Sequence, residues 1–155
     1  MSPSENIMIE NVDHDGRTLA VLLHAGYRAE GIQFFTPGDF SQQLGYMNRP
    51  TGYVIPPHTH NPVQREVHYT KEVLFIKSGK VRVDFYDEDQ TYLESRVLHA
   101  SDVILLAFGG HGFEMLEPTE IIEVKQGPYV GEMDKTRFAP IPTERVVIKN
   151  DTSNK

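Results

Sequence analysis

The amino-acid sequence predicts an all-β protein, and three observations support that prediction. Short runs rich in β-branched and aromatic residues recur along the chain, separated by many of its 12 glycines and 10 prolines. In one place two alternating runs flank the dipeptide Ser78-Gly79, and a two-residue loop with glycine is typical of a β-hairpin. No stretch shows a sustained helical period, so little helix is expected.

The predicted strands are short and almost regularly spaced, which is typical of a β-sandwich or β-barrel. In the strand before the hairpin, Glu72 shares one face with Leu74 and Ile76, because successive side chains of a strand alternate. A turn or short helix is expected near residues 38–43. The predicted strands cover residues 18–23, 31–36, 42–47, 52–56, 72–77, 80–86, 91–98, 103–107, 111–116, 120–125 and 145–148.

The length and the charge of the chain restrict its class. A chain of 155 residues suits one domain, which we expect over residues 1–148, followed by a polar tail at 149–155. The net charge of −7, with scattered cations, argues against nucleic acid as a partner. No apolar run reaches the ~20 residues that span a bilayer, and no secretory h-region is present, so no membrane association and a cytoplasmic location are expected.

The absence of cysteine narrows the chemistry. With no cysteine in the chain, disulfides, thiolate nucleophiles and cysteine-ligated zinc are excluded. Any metal ion must therefore be held by imidazole nitrogen and carboxylate oxygen.

His58 and His60, in the stretch PPHTH, are candidate metal ligands. Residues two apart in a strand project to the same face, so both imidazoles can reach one ion at the ~2.0–2.1 Å of a metal–nitrogen bond. The alternative is a pair of solvated surface histidines, because this short pattern is not specific by itself.

Glu72 and His111 are the other two candidates. Glu72 heads an apolar strand face, where a buried carboxylate needs a partner. His111 follows a buried strand and a Gly-Gly turn, and it too heads an apolar face. Gln64 and Glu66 lie closer to His60 in the sequence, but neither heads an apolar strand, so Glu72 is favoured as the oxygen ligand.

The segment from Gly52 to His111 resembles the cupin superfamily. Gly52 is followed by YVIPP and then His58-Thr59-His60, and Glu72 is followed by VLFIKS and then Gly79. Both spacings match the first cupin motif, whereas the gap at 61–71 is longer than the family pattern. The chain is most similar to small single-domain metal-binding cupins, such as those that are mannose-6-phosphate-isomerase-like.

The resemblance implies a double-stranded β-helix, the cupin jelly-roll barrel, with its motif core at residues 52–116. It also implies one divalent metal ion, which could be iron, manganese, zinc or nickel. The long gap then becomes a loop at the mouth of the barrel. The implied metal ligands are His58, His60, Glu72 and His111.

Four further residues are candidates for contacting a small-molecule ligand or for catalysis. Arg65 and Tyr69 belong to the long gap, and an arginine there could hold a carboxylate or phosphate. Glu123 and Lys125 alternate with Ile122 and Val124, and the sequence leaves open which pair faces inward.

Two classes of function fit these residues. One is a metal-dependent isomerase or epimerase, or a non-haem iron dioxygenase, acting on a sugar, sugar phosphate or small acid. The other is a non-catalytic module that binds a small molecule or a metal. A homodimer is expected in both cases, because small jelly-roll sheets leave edges that need covering.

Overall fold

The computed structural model describes residues 8–150, and they form ten β-strands and two 3-10 helical turns. The predicted all-β class is confirmed. The strands are β1 (Ile9–His14), β2 (Arg17–Leu23), β3 (Gly31–Phe34), β4 (Gly45–Asn48), β5 (Glu72–Ser78), β6 (Lys80–Tyr86), β7 (Tyr92–His99), β8 (Val103–Leu106), β9 (Gly110–Met115) and β10 (Glu120–Lys125), and the helical turns are Gly131–Asp134 and Thr143–Arg145.

Two antiparallel sheets enclose the main core. The larger sheet has the strand order β1-β2-β8-β5-β10, and the smaller has the order β7-β6-β9. Strands β3 and β4 form a separate hairpin. Within residues 8–150 the sheets do not close into a barrel, since β9 and β10 are both edge strands.

The core is built from the alternation that the sequence predicts. Leu74 and Ile76 of β5 contribute from the larger sheet, and Val83 and Phe85 of β6 from the smaller. All four are at most 5% exposed. Burial of such side chains stabilises a domain by about 1.5–3 kcal/mol each before conformational entropy is counted.

The β5–β6 hairpin is confirmed, and its geometry requires glycine. Gly79 has a φ of +90°, which L side chains rarely adopt. A Cβ there would also lie 2.3 Å from the carbonyl oxygen of Pro118. This turn fixes the register that starts β5 at Glu72.

Three sequence predictions about strands were wrong. Residues 52–56 form no strand, and 145–148 contribute only the isolated bridge of Ile148 to Ser95. Both runs have β-propensity, but propensity forms a strand only where a partner edge is available. Strand β1 was missed because its sequence, IENVDH, is mostly polar.

The stretch between β4 and β5 is the most exposed part of the fold. Residues 51–69, called the arm below, contain no strand, and every one of them is exposed. The arm includes the predicted loop at 61–71 up to Tyr69. Lys71, just beyond it, is buried again.

The described end of the predicted polar tail is held by β7. Lys149 donates its backbone N–H to the carbonyl of Ser95, and the Asn150 side chain bonds both the N–H and the carbonyl of Val97. The rest of the tail, 151–155, and the first seven residues of the predicted domain lie outside the described residues. No helix formed by residues 8–150 has the length and apolar character needed to cross a bilayer.

A cluster of charges ties β1 to the loop before β8. The His24 imidazole contacts Glu10 through Nε2, and its Nδ1 lies 3.6 Å from Asp102 Oδ2. The two carboxylates, first Asp102 and then Glu10, raise the pKa of His24 to about 9. Burial raises the pKa of Asp102, but the nearby His24 and the hydrogen bonds from the backbone N–H groups of Ala25 and His99 outweigh it, so the carboxyl titrates below its ordinary range. His24 is therefore a structural cation.

Replacing His24 with glutamine should destabilise the fold in a pH-dependent way. Because the folded pKa is raised, the stabilisation is complete below about pH 6.5, the unfolded value. It is lost as pH rises through the folded pKa of about 9. Urea unfolding at about pH 6 should show a loss on the order of 3 kcal/mol, and near pH 10 a much smaller one. The exposed His99→Gln is the control, and an equal loss at both pH values would contradict this assignment.

Candidate functional site

A cleft of about 890 Å³ opens beside the two edge strands β9 and β10. Residues of β5, β6, β9 and β10 line it, together with residues 134–138, 140, 141 and 143. The cleft begins at Tyr69 in the sequence, so residues 51–68 of the arm do not contribute to its walls. It is the place where the two sheets of the fold are open to solvent.

At the floor of the cleft, Glu72 and His111 form a contact between the two sheets. Glu72 begins β5 and is only 7% exposed, paired in register with Leu106 on β8 and Lys125 on β10. His111 comes from β9, opposite Phe85. Its Nε2 lies 3.3 Å from Glu72 Oε2. Two of the four predicted ligands therefore meet.

An imidazole and an ammonium group lie beside the Glu72 carboxylate. The hydrogen bond from His111 lowers its pKa, burial opposes this, and Lys125 adds to the lowering. Lys125 Nζ lies 3.7 Å from Glu72 Oε1 and 3.8 Å from Asp134 Oδ2. Asp134 in turn accepts a hydrogen bond from the Thr70 hydroxyl. The carboxylate is thus held ionised and fixed in direction.

The structure also resolves which face of β10 lines the cleft. Glu123 pairs with Leu74, and Lys125 with Glu72, so both face inward with their partners. Glu123 lines the cleft. Ile122 and Val124 point outward and are 52% and 58% exposed.

The two predicted residues of the arm lie in different places. Tyr69 lines the mouth of the cleft, with its ring centroid 6.0 Å from that of Phe108. Arg65 is exposed within the arm, outside the cleft wall.

His58 and His60 form a second pair, apart from the first. Their ring centroids are 5.2 Å apart, and His58 Nδ1 lies 3.0 Å from the carbonyl oxygen of Pro56. Both belong to the exposed arm, and neither lines the cleft. Among residues 8–150, no group of three or more histidines and carboxylates is placed to hold a metal ion.

The four candidate side chains are of the types that bind divalent metals. Within one chain, however, they lie as two separate pairs. Imidazole nitrogen and carboxylate oxygen are ordinary ligands of iron, manganese, zinc and nickel. Glu72 and His111 converge closely enough to share one ion, and His58 and His60 are neighbours. The four side chains do not meet in the described structure of a single chain.

Sequence reasoning missed a buried ion-pair network on the other face of β6. Arg82 donates from Nε and Nη2 to the two carboxylate oxygens of Asp84, at 2.8 and 3.0 Å. Its Nη1 lies 2.7 Å from Glu114 Oε2, and Ser95 donates to Asp84. The hydrogen bond to Asp84 raises the pKa of Arg82. This arginine is fully engaged and is not free to bind a ligand.

Alternating charges on β6 gave no signal of burial, because they are typical of a solvated face. The C-terminal segment covers this face instead. The Ile141 N–H donates to the Tyr86 hydroxyl, and the Val147 N–H donates to that of Tyr92. Tyr86 also packs edge-on against Phe138, with centroids 4.9 Å apart.

Lys71 is a second buried cation that the sequence did not indicate. It is 6% exposed, and its Nζ lies 4.6 Å from the ring centroid of Phe108 and 5.8 Å from that of Phe40. Burial lowers the pKa of its ammonium. Adjacent residues of an extended chain point to opposite sides, so Lys71 anchors the start of β5 while Glu72 faces the cleft.

Carboxylates outnumber cations around the cleft. Of the side chains lining it, five are acidic and three are basic, and Lys125 beside Glu72 adds a fourth cation, so the cleft has a small excess of negative charge. The acidic residues are Glu72, Asp84, Glu114, Glu123 and Asp134, and the basic ones are Arg82, Lys135 and Arg137.

Comparison with known proteins found no match: no model of a protein family, no curated protein and no solved structure matches this chain. The resemblance of residues 52–111 to cupins therefore stays a prediction. Any assignment of function rests on the residues of the cleft.

Replacing Arg82 with methionine should destabilise the protein strongly. The change keeps most of the side-chain volume but leaves Asp84, which is 4% exposed, as an unpaired buried charge. Breaking a buried pair from one side costs about 3–5 kcal/mol. Thermal or urea unfolding would measure it, with Arg137→Met as the matched control, since the Arg137–Glu132 pair is exposed. Equal unfolding midpoints for the two variants would contradict the network.

Proposed function

We propose that this protein is a metal-dependent enzyme of the isomerase or epimerase class that acts on a small polar molecule in the cleft. One observation carries the proposal: Glu72, a carboxylate 7% exposed, meets His111 at 3.3 Å on the floor of a cleft of about 890 Å³. A buried ionisable pair in an open cleft of ligand size is a candidate functional site. The predicted jelly-roll topology belongs to the same proposal.

Glu72 and His111 are proposed as ligands of one divalent ion, together with His58 and His60. When bound, such an ion polarises a carbonyl oxygen and stabilises the negative charge that develops on it. Lys125 and the His111 imidazole fix the direction of the Glu72 carboxylate. Burial of Glu72 keeps water from competing for its oxygens.

Glu123 is the proposed proton carrier. It faces inward from β10, two residues from Lys125, and lines the cleft. In an isomerisation it would take a proton from the carbon next to a carbonyl and return it to a neighbouring atom. Tyr69, at the cleft mouth, can donate a hydrogen bond to a hydroxyl of the substrate.

The charge of the cleft narrows the substrate. The small excess of carboxylates over cations, five against four when Lys125 is counted, favours a neutral carbonyl compound, such as an unphosphorylated sugar, over a sugar phosphate. Arg82 is committed to Asp84 and Glu114, so it does not offer a free phosphate site. Arg65, exposed in the arm, stays the candidate for a singly charged group.

Metal analysis of purified protein should find about one divalent ion per chain. Removing it with a chelator should lower the melting temperature, because a ligand that binds only the folded state stabilises that state. Glu72→Gln should lose most of the metal, while Glu117→Gln, on the exposed β9–β10 turn, should retain it. Metal-free wild-type protein, or full occupancy in Glu72→Gln, would contradict the metal proposal.

Glu123→Gln should lower kcat by about 10²-fold or more while leaving the metal content unchanged, since it removes the base without removing a ligand. Exchange of substrate hydrogen with deuterated solvent, followed across a panel of aldoses and ketoses, would measure the step. Glu117→Gln again serves as the control. Oxygen consumption by the iron-loaded protein would instead indicate a dioxygenase, and binding without turnover a binding module.

A further inference from the structure

Both edge strands beside the cleft lack a partner on their outer side in the described part of the chain. β9 pairs with β6 alone, and β10 with β5 alone. Their side chains include exposed apolar groups: Phe113 is 39% and Met115 50% exposed on β9, and Val124 58% on β10. An open apolar edge of this kind is a template for another strand.

The arm, in turn, is a segment that pairs with no strand of the described chain. It carries apolar side chains without a surface to bury them: Tyr53 is 51%, Val54 74% and Ile55 50% exposed. The β3–β4 hairpin that precedes it is exposed as well, with Phe34 at 60%. Burial of apolar surface is favourable by about 25 cal/mol per Å². These side chains would therefore be stabilised by a partner that covers them.

The arm and the cleft also hold complementary halves of one ligand set. The arm presents His58 and His60 as neighbours in solvent, and the cleft presents Glu72 and His111. Residues 51–68 do not line the cleft of their own chain.

The direction of β9 determines how the arm of another chain could bring its histidines to the cleft. His111 lies near the beginning of β9, and Met115 at its end. An arm laid antiparallel along this edge, with Val54 opposite Met115, would bring His58 opposite His111, so that His58 and His60 point to the same face as His111, toward the cleft. Pro56 and Pro57 lack N–H groups, so the pairing would end just before the metal ligands.

We propose that the arm of a second copy of this chain pairs with β9 and completes the metal site. Each centre of the resulting dimer contains Glu72 and His111 from one chain, with His58 of the partner subunit and His60 of the partner subunit. The exchange is reciprocal, so a twofold dimer has two such centres. This inference rests on the proposed metal-binding function for the identity of the ion, but the strand exchange itself can be tested without metal.

Mixing two defective chains tests the shared centre. One chain carries His58→Ala/His60→Ala and the other Glu72→Gln/His111→Ala, and neither homodimer should hold metal. After co-expression, half of the dimers are mixed, and each mixed dimer has one intact centre of two. Metal content should therefore recover to about one quarter of the wild-type value.

The controls separate the possible failures. His68→Ala, on the same arm and 69% exposed in its side chain, should keep full metal content. Circular dichroism should confirm that each variant is folded, with His111→Ala alone replacing the double change if that variant is not. Wild-type protein that binds metal but shows no recovery in the mixture would overturn the shared centre. Wild-type protein without metal would overturn the proposed function instead.

Engineered cysteines test the exchange without metal. The native chain has no cysteine, so any disulfide must join the introduced residues. A tagged Val54→Cys chain, co-purified with an untagged Met115→Cys chain and oxidised, should give a covalent heterodimer on a non-reducing gel, because these two residues lie opposite each other in the proposed pairing. Val147→Cys in place of Val54→Cys is the control, because Val147 lies beside β7, and β7 and β9 are the opposite edges of the smaller sheet. Gel filtration showing a monomer, with no crosslink, would overturn the exchange.

Discussion

The contact between Glu72 and His111 is the constraint on which the site depends. It joins the first residue of β5 to the second residue of β9, and therefore joins the two sheets at their open side. A carboxylate with so little exposure is tolerated only with polar or charged partners, and here the His111 imidazole and the Lys125 ammonium are those partners. Lys125, on the inward face of β10, also lies within 3.8 Å of Asp134, so the same group of contacts connects β5, β9, β10 and residue 134.

The strands that were predicted from the sequence are those whose alternation has a physical partner. Around Gly79, apolar side chains at every second position meet the opposite sheet, and the turn permits only one register. The stretch at 52–56 is also rich in residues with high β-propensity, but it pairs with no strand among residues 8–150, so propensity alone gave the wrong prediction. Strand pairing is a tertiary property, and a local pattern does not contain it.

The sequence indicated the site where a charged residue occupies a position that the strand pattern predicts to be buried. Glu72 stood out as an acid at the head of an apolar face, and the structure places it in contact with His111. The inward orientation of Glu123 was not predictable, because Ile122 and Val124 on the other face are apolar but exposed. Arg82 and Asp84 were missed for a related reason: a distant segment covers them, and alternation cannot indicate what a remote part of the chain will shield.

The open edges of β9 and β10 allow a second chain to pair with them, but they also allow pairing in the wrong register. A bare edge accepts many strands in many registers, and a slip of one residue turns every side chain to the opposite face. A metal ion shared between the edge and an incoming arm would distinguish these outcomes, because the imidazoles reach it from one face only. The ion would then select the correct strand register during dimer assembly. It would stabilise only the alignment in which all four ligands meet, and misaligned dimers would dissociate.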